Sequence, residues 1–304
     1  GDVAVSQLLD CDRVRVLGAG GRVVRSPRPR SDRLCAQAWS PDGRRLFVAT
    51  RAAVYAFGAE DEGDDPIAVM PISFMALTVT AAAAARPGCY TLVVGGAPGL
   101  LVCECELGDG CAQLRPCRSF RPAGGPMCCS TFDRTGEWLA CASMNGMLTL
   151  IRRAPLVGQG EEQQQPFSSR LPVSFGIMAK GTRPTGLEWS PHGLRLLVGC
   201  WDGCVEMLEG GVGASVVGGG DAPRWRLRTI RPPDGPIEAR CCAPQLTWLP
   251  SGLAFAVTRQ LRTPQRVLHE ASRAELELVA SPPPQLCALG ESTLLRESLD
   301  EAVA

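Results

Sequence analysis

Apolar residues in this chain fall in runs of about four to six, each closed by a cluster of Gly, Pro, Asp, Asn or Ser. Such spacing is too short for packed helices and reads as strands joined by tight turns. The clearest stretch is 184–209, PTGLEWSPHGLRLLVGCWDGCVEMLE. Leu187 and Trp189 lead into a turn at Ser190-Pro191-His192-Gly193. The apolar run 196–200 follows, then a turn at Asp202-Gly203, then Val205, Met207 and Leu208. The pattern predicts two successive hairpins, hence three antiparallel strands. A three-stranded unit of this kind cannot bury both of its faces alone, so it requires neighbours.

Other segments repeat the pattern. Residues 35–39 end in Trp39, turn at Ser40-Pro41-Asp42-Gly43, and continue through strands at 46–50 and 54–57. A less regular unit runs 77–80, 90–95 and 101–105, with turns at Arg86-Pro87-Gly88 and Ala97-Pro98-Gly99. A third spans 127–132, the turn Asp133-Arg134-Thr135-Gly136, 138–142, Asn145-Gly146 and 147–151. Residues 184–209 form the fourth, and the fifth runs 245–248, turns at Leu249-Pro250-Ser251-Gly252, and continues 253–258. Its last strand is expected near 265–268, while 271–279 reads as either helix or strand. Ahead of all these, 14–24 (VRVLGAGGRVV) predicts an isolated hairpin.

Units whose shared core fits the about 40–45 residues of a WD-type blade point to an all-β, WD40-like β-propeller. It is irregular and incomplete, with about five recognisable blades. Residues 1–280 would hold the blades, with inserted loops at 59–66, 155–170 and 209–224. Residues 281–304 would be a C-terminal segment, the start of a further blade. The chain opens at Gly1 rather than Met and reads as a piece of something longer.

Composition narrows the function classes. Lys plus Arg and Asp plus Glu each total 31, so no net charge draws the chain to nucleic acid or an anionic membrane. Protein partners are favoured. The 15 cysteines include close neighbours such as Cys103 and Cys105, Cys128 and Cys129, and Cys241 and Cys242, set in apolar runs. They read as small core residues in a reducing, cytoplasmic compartment. No zinc-type pairing of cysteines is present, so no metal ligand is assigned. Gly18-Ala19-Gly20-Gly21 and the glycines of 210–220 are turns and linkers rather than phosphate loops. Ser190, His192 and Asp202 could be drawn as a triad, but a tight turn selects the same residue types, and no catalytic residue or cofactor is assigned. Trp39, Trp138, Trp189 and Trp248 recur near the first turn of their units and are expected in the core. The one segment singled out for partner binding is the Pro-rich basic stretch with Arg22, Arg25, Arg28, Arg30 and Arg33. Lacking aromatic residues for base stacking, it suits an acidic protein surface.

Taken in order, the units resemble the amino-terminal WD-type region of the ribosome control protein one family. The likeness rests on Arg13-Val14-Arg15-Val16 followed by Ala38-Trp39-Ser40-Pro41-Asp42, and on Leu77-Thr78-Val79 with the hairpin at 92–103. It continues through 184–201 and Leu246-Thr247-Trp248. The resemblance implies a cytoplasmic protein, peripheral on Golgi membranes, that pairs with an arrestin-like subunit and promotes nucleotide exchange on a Rab GTPase. A WD-repeat scaffold of a vesicle coat, ciliary transport complex or nuclear pore is the alternative within the same class. A propeller hydrolase is the alternative outside it. Because the matched residues are structural, they transfer no exchange-active side chain.

Overall fold

The computed structural model describes residues 3–6, 14–17, 23–25, 33–58, 64–84, 86, 88–108, 111–122, 124–152, 173–176, 183–193, 195–210, 225–231, 242–260 and 274–280. These form six antiparallel sheets, each a meander whose strands neighbour one another in chain order. The first contains β1 (Val3–Ser6), β2 (Val14–Leu17) and β3 (Val23–Arg25). The second contains β4 (Leu34–Trp39), β5 (Arg45–Thr50), β6 (Ala53–Gly58) and β7 (Ala68–Pro71). The third has β8 (Ala76–Ala83), β9 (Tyr90–Gly96), β10 (Gly99–Gly108) and β11 (Cys111–Phe120). The fourth has β12 (Met127–Phe132), β13 (Trp138–Ser143), β14 (Met147–Arg152) and β15 (Val173–Gly176). The fifth has β16 (Pro184–Trp189), β17 (Arg195–Cys200), β18 (Val205–Gly210) and β19 (Trp225–Arg231). The sixth has β20 (Cys242–Trp248), β21 (Ala254–Gln260) and β22 (Ala274–Ala280).

The all-β propeller reading stands, and the described residues form six sheets, the five recognised units and one more. The 14–24 hairpin is joined by β1 into a sheet of its own, with Val3 opposite Leu17. Four sheets also carry a fourth strand that the hydrophobic pattern does not announce: β7, β11, β15 and β19. An outermost strand has a neighbour on one side only, and its sequence shows it. In β7, Ala68 and Met70 are buried while Val69 and Pro71 are exposed. In β11, Gln113, Arg115 and Arg118 face water and Pro116 interrupts the run, which an edge strand tolerates. In the sixth sheet the third strand is β22, so 271–279 resolves towards strand, while 265–268 lies outside the described residues. Glu209 and Gly210 close β18. The rest of the expected 209–224 insertion, like 155–170 and 281–304, lies outside them as well.

Successive sheets stack face to face through their period-2 alternation. In β13, Leu139 and Cys141 meet the third sheet beside Val93, Leu100 and Val102. Ala140 and Ala142, pointing the other way, meet the fifth beside Leu196, Val198 and Cys200. In β5, Leu46 and Val48 pack with Val14 and Val16 of the first sheet, whereas Phe47 and Ala49 pack with Tyr90, Leu92 and Val94 of the third. Leu197, Val205 and Met207 of the fifth sheet meet Leu246, Phe255 and Val257 of the sixth. Each fully buried Leu, Val or Phe here contributes about 1.5–3 kcal/mol relative to exposure. Among the described residues the sheets do not close into a ring, since no core cluster joins the sixth to the first.

The leading strands β4, β8, β12, β16 and β20 lie nearest the axis and pack on one another in that order. Each carries a register shift near its start, after Leu34, Ala76, Met127, Pro184 and Cys242. A bulge adds local twist. Repeated at one position in these five sheets, it lets their leading strands fan around an axis.

Candidate functional site

With all leading strands oriented alike, the stack has two rims. The first carries the turns after β4, β12, β16 and β20 and is called here the Asp42 rim. The second carries the turns after β5, β9, β13 and β17 and is called the Trp201 rim.

The Asp42 rim is built from one turn used repeatedly. Ser40 N donates to Arg45 O, and the same bond recurs from Asp133 N to Trp138 O, Ser190 N to Arg195 O and Leu249 N to Ala254 O, each at 2.8 to 2.9 Å. A side-chain oxygen at the first position caps the turn where chemistry permits. Ser40 Oγ accepts from Arg45 N at 2.9 Å, Asp133 Oδ1 from Trp138 N at 2.9 Å, and Ser190 Oγ from Arg195 N at 3.2 Å. Gly193, at φ 71°, adopts the left-handed backbone that the turn needs.

These turns also lock onto one another. Tyr90, from the third sheet, donates its hydroxyl to Asp42 Oδ2 at 2.7 Å. His192 Nε2 lies 3.3 Å from Ser251 O of the next turn. Partial burial pushes the Asp42 carboxyl up, but hydrogen bonds from Ser40, Tyr90 and Arg44 outweigh it and hold it below the usual range. Burial, helped by the Asp42 bond, pushes the Tyr90 hydroxyl up to about 12. Beneath the rim, Trp189 Nε1 donates to Thr131 O at 3.3 Å and Trp248 Nε1 to Glu188 O at 3.2 Å, each reaching the preceding sheet's leading strand. Trp39 occupies the same register, half-buried, and its Nε1 has no partner among the described residues.

Trp189 and Trp248 are 7% and 6% exposed, as the core reading requires. Trp138 departs from it. It opens β13 on the far side of the turn, half-buried, with Arg152 5.8 Å above its ring; Phe132 fills the position that Trp189 fills in the next sheet.

The Ser190, His192 and Asp202 triad does not assemble. Ser190 and His192 lie on the Asp42 rim, whereas Asp202 is in the β17–β18 turn on the other, where its Oδ1 accepts from Cys204 N at 3.0 Å. The cysteines in view behave mainly as core. Burial pushes Cys103, Cys105, Cys141 and Cys204 up to about 12, 11, 12 and 12, although Cys117 is exposed. Cys128, displaced by the β12 bulge, lies 3.9 Å from Cys129 and 3.4 Å from Pro184 O of the next leading strand. Two half-hidden acids stand out. Burial pushes Glu188 up to about 7; burial, with Asp202 nearby, does the same to Glu206. Among the described residues, no group of three His, Cys, Asp or Glu is placed to hold a metal ion.

The Trp201 rim is differently made. Arg51, Arg121 and Arg183 are exposed on it, from the β5–β6 turn, the end of β11 and the start of β16, and Arg33 precedes β4 on the same side. Met75 and Trp201 are 47% and 43% exposed. Trp201 N donates to Arg183 O at 2.8 Å, which brings the two residues side by side through their backbones. Of the basic stretch expected to bind a partner, only Arg33 has a described side chain. Arg25 ends β3 in backbone only, and Arg22, Arg28 and Arg30 lie outside the described residues. Sequence reasoning missed Arg51, Arg121, Arg183 and Trp201, since a lone Arg or Trp in a turn carries no local signal. Their shared rim becomes visible only from the register.

Comparison with known proteins gives three findings. Residues 180–207 match the model of the WD domain, G-beta repeat, which spans β16, β17 and the first half of β18. Among solved structures, the chain is similar to the Cps50 (Swd1) β-propeller domain of Myceliophteria thermophila. The TM-score is 0.58 at 13% identity, covering 92% of this chain and 83% of that one. No curated protein matches it in sequence. At that identity the structural likeness speaks for fold alone. A WD40-type β-propeller of this kind, with turns held on rigid rims, supports a protein-interaction scaffold.

Proposed function

We propose that this chain is a non-catalytic WD-repeat region of a membrane-trafficking complex that promotes nucleotide exchange on a Golgi Rab GTPase. The observation that carries this reading is the order of unit-specific segments along the chain. Arg-Val-Arg-Val at 13–16 comes first, then Ala-Trp-Ser-Pro-Asp at 38–42, the Leu-Thr-Val unit at 77–79, the Pro-to-Trp unit at 184–201 and Leu-Thr-Trp at 246–248, as in the ribosome control protein one family. The fold is compatible with that order, since the segments fall in five different sheets taken in chain order. In this reading the chain is cytoplasmic, pairs with an arrestin-like subunit and reaches Golgi membranes through its partners. The basic stretch from Arg22 to Arg33 contributes to partner contact.

The test is affinity purification of the full protein from its own cells, followed by a GDP-release assay on the recovered complex with a Golgi Rab. Recovery of an arrestin-like subunit together with accelerated GDP release is the expected result. Recovery instead of coat, ciliary-transport or nuclear-pore components would overturn it.

A further inference from the structure

The two rims differ in charge as well as in shape. Carboxylates and arginines are mixed on the Asp42 rim and pair there. Arg195 meets Glu209 at 3.3 Å, Arg152 Nε donates to Glu137 at 2.8 Å, and Arg86 lies 3.9 Å from Glu106. On the Trp201 rim the described residues include no exposed carboxylate. Asp202, the one acid in its described turns, is 4% exposed and turned onto backbone, and Glu206 just beneath is 7% exposed. Arg51, Arg121 and Arg183 are all exposed there, drawn from the second, third and fifth sheets. Arg121 is steadied by a bond from its Nε to Pro98 O at 3.1 Å. Backbone bonds fix the others: Ile72 N donates to Ala52 O beside Arg51, and Trp201 N donates to Arg183 O.

The geometry points to the Trp201 rim as a docking face for an acidic, extended segment of a partner protein, with arginines holding its carboxylates and Trp201 taking an apolar side chain. Arg is suited to this because its planar guanidinium grips a carboxylate through two parallel hydrogen bonds. An exposed Trp beside an Arg supplies the rigid anchor typical of interface hot spots. A protein segment fits better than a lipid surface. Each basic residue near an anionic bilayer contributes only about 1 kcal/mol, and three of them with one indole make a marginal membrane anchor. It fits better than a nucleic acid too, since one exposed aromatic ring gives no run of stacking platforms. The inference rests on the scaffold reading and is independent of which complex the chain joins.

The probe is a fluorescein-labelled peptide of about twelve residues, rich in Glu and Asp with two Leu and one Phe, the size range of extended segments that dock on such surfaces. Its Lys-for-acid counterpart, phosphatidylserine vesicles and a single-stranded oligonucleotide are run beside it. Binding to the full chain is read by anisotropy. The acidic peptide is expected to bind, and to weaken strongly on raising salt to about 0.5 M. Trp201→Ala is expected to cost at least about tenfold in affinity. The combined Arg51→Glu, Arg121→Glu and Arg183→Glu variant is expected to lose the acidic peptide and acquire the Lys counterpart, a gain that misfolding cannot produce. Arg44→Glu and Arg134→Glu, on the Asp42 rim, should leave binding unchanged. Equal binding of the acidic peptide to wild type and the triple variant would overturn the proposal. So would no binding to wild type, or binding of vesicles or oligonucleotide with the acidic peptide silent. Failure of the co-purification test would leave these measurements unaffected.

Discussion

One rim of this propeller ties neighbouring sheets together and the other exposes three arginines and a tryptophan. On the Asp42 rim, turns are capped internally and two of them are tied to a neighbouring sheet, through Tyr90 to Asp42 and His192 to Ser251. On the Trp201 rim, the turns are closed by buried short side chains. Thr50 Oγ1 accepts from Ala53 N at 3.0 Å and Ser143 Oγ from Met147 N at 3.2 Å, while Arg51, Arg121, Arg183 and Trp201 are exposed. The difference shows how one repeated unit can divide its labour. Polar turn chemistry is used for cohesion at one end, which leaves the other end free to vary for recognition.

Substitutions that attack cohesion should therefore cost stability, and those on the recognising rim should not. The largest loss is expected from Trp189→Ala, which empties a site shared by two sheets and removes the bond to Thr131. It should cost about 3–5 kcal/mol in urea unfolding. Gly99→Ala breaks the comparison usefully, because it lies on the Trp201 rim yet should still destabilise. Its φ is 119°, and a Cβ there would come within 2.5 Å of Phe120 O. A loss of about 2–3 kcal/mol is expected, measured by the same unfolding. Backbone on that rim is structural, while its exposed arginines are not.

The buried acids add a pH test. Glu188 and Glu206 have folded-state values near 7, above their ordinary 4.5. A carboxyl with a raised folded pKa contributes stability that is full below about 4.5 and lost as pH rises through about 7. Stability should accordingly fall as pH rises from about 4.5 through about 7. The double variant Glu188→Gln with Glu206→Gln should flatten that slope, checked by urea unfolding across the same window. A slope unchanged in the double variant would mean that other groups set it.

Much of the architecture was legible because residues 184–209 declare both turns and all three inner strands, and the WD-repeat match falls on the same stretch. The outer strands were not legible. Val173–Gly176 and Trp225–Arg231 follow long insertions and each pair with one strand only among the described residues, so neither hydrophobic run length nor turn spacing marks them. Trp138 misled because tryptophan near a turn is ambiguous by one register step; only the pairing of Phe132 with Leu139 shows which residue holds the inter-sheet position. The recognising rim was legible only in part. A cluster in sequence, Arg22 to Arg33, drew attention, whereas Arg51, Arg121 and Arg183 are far apart in the chain and share a rim only through the strand register.

The most direct test of the division between rims is a paired comparison of unfolding free energies. Asp133→Ala and Asp42→Ala should each lose about 1–2 kcal/mol, because each removes an acceptor that caps or ties a turn. Arg51→Gln and Arg183→Gln should stay within about 0.5 kcal/mol of wild type. Equal losses from the two pairs, or a larger loss from the arginines, would contradict the account.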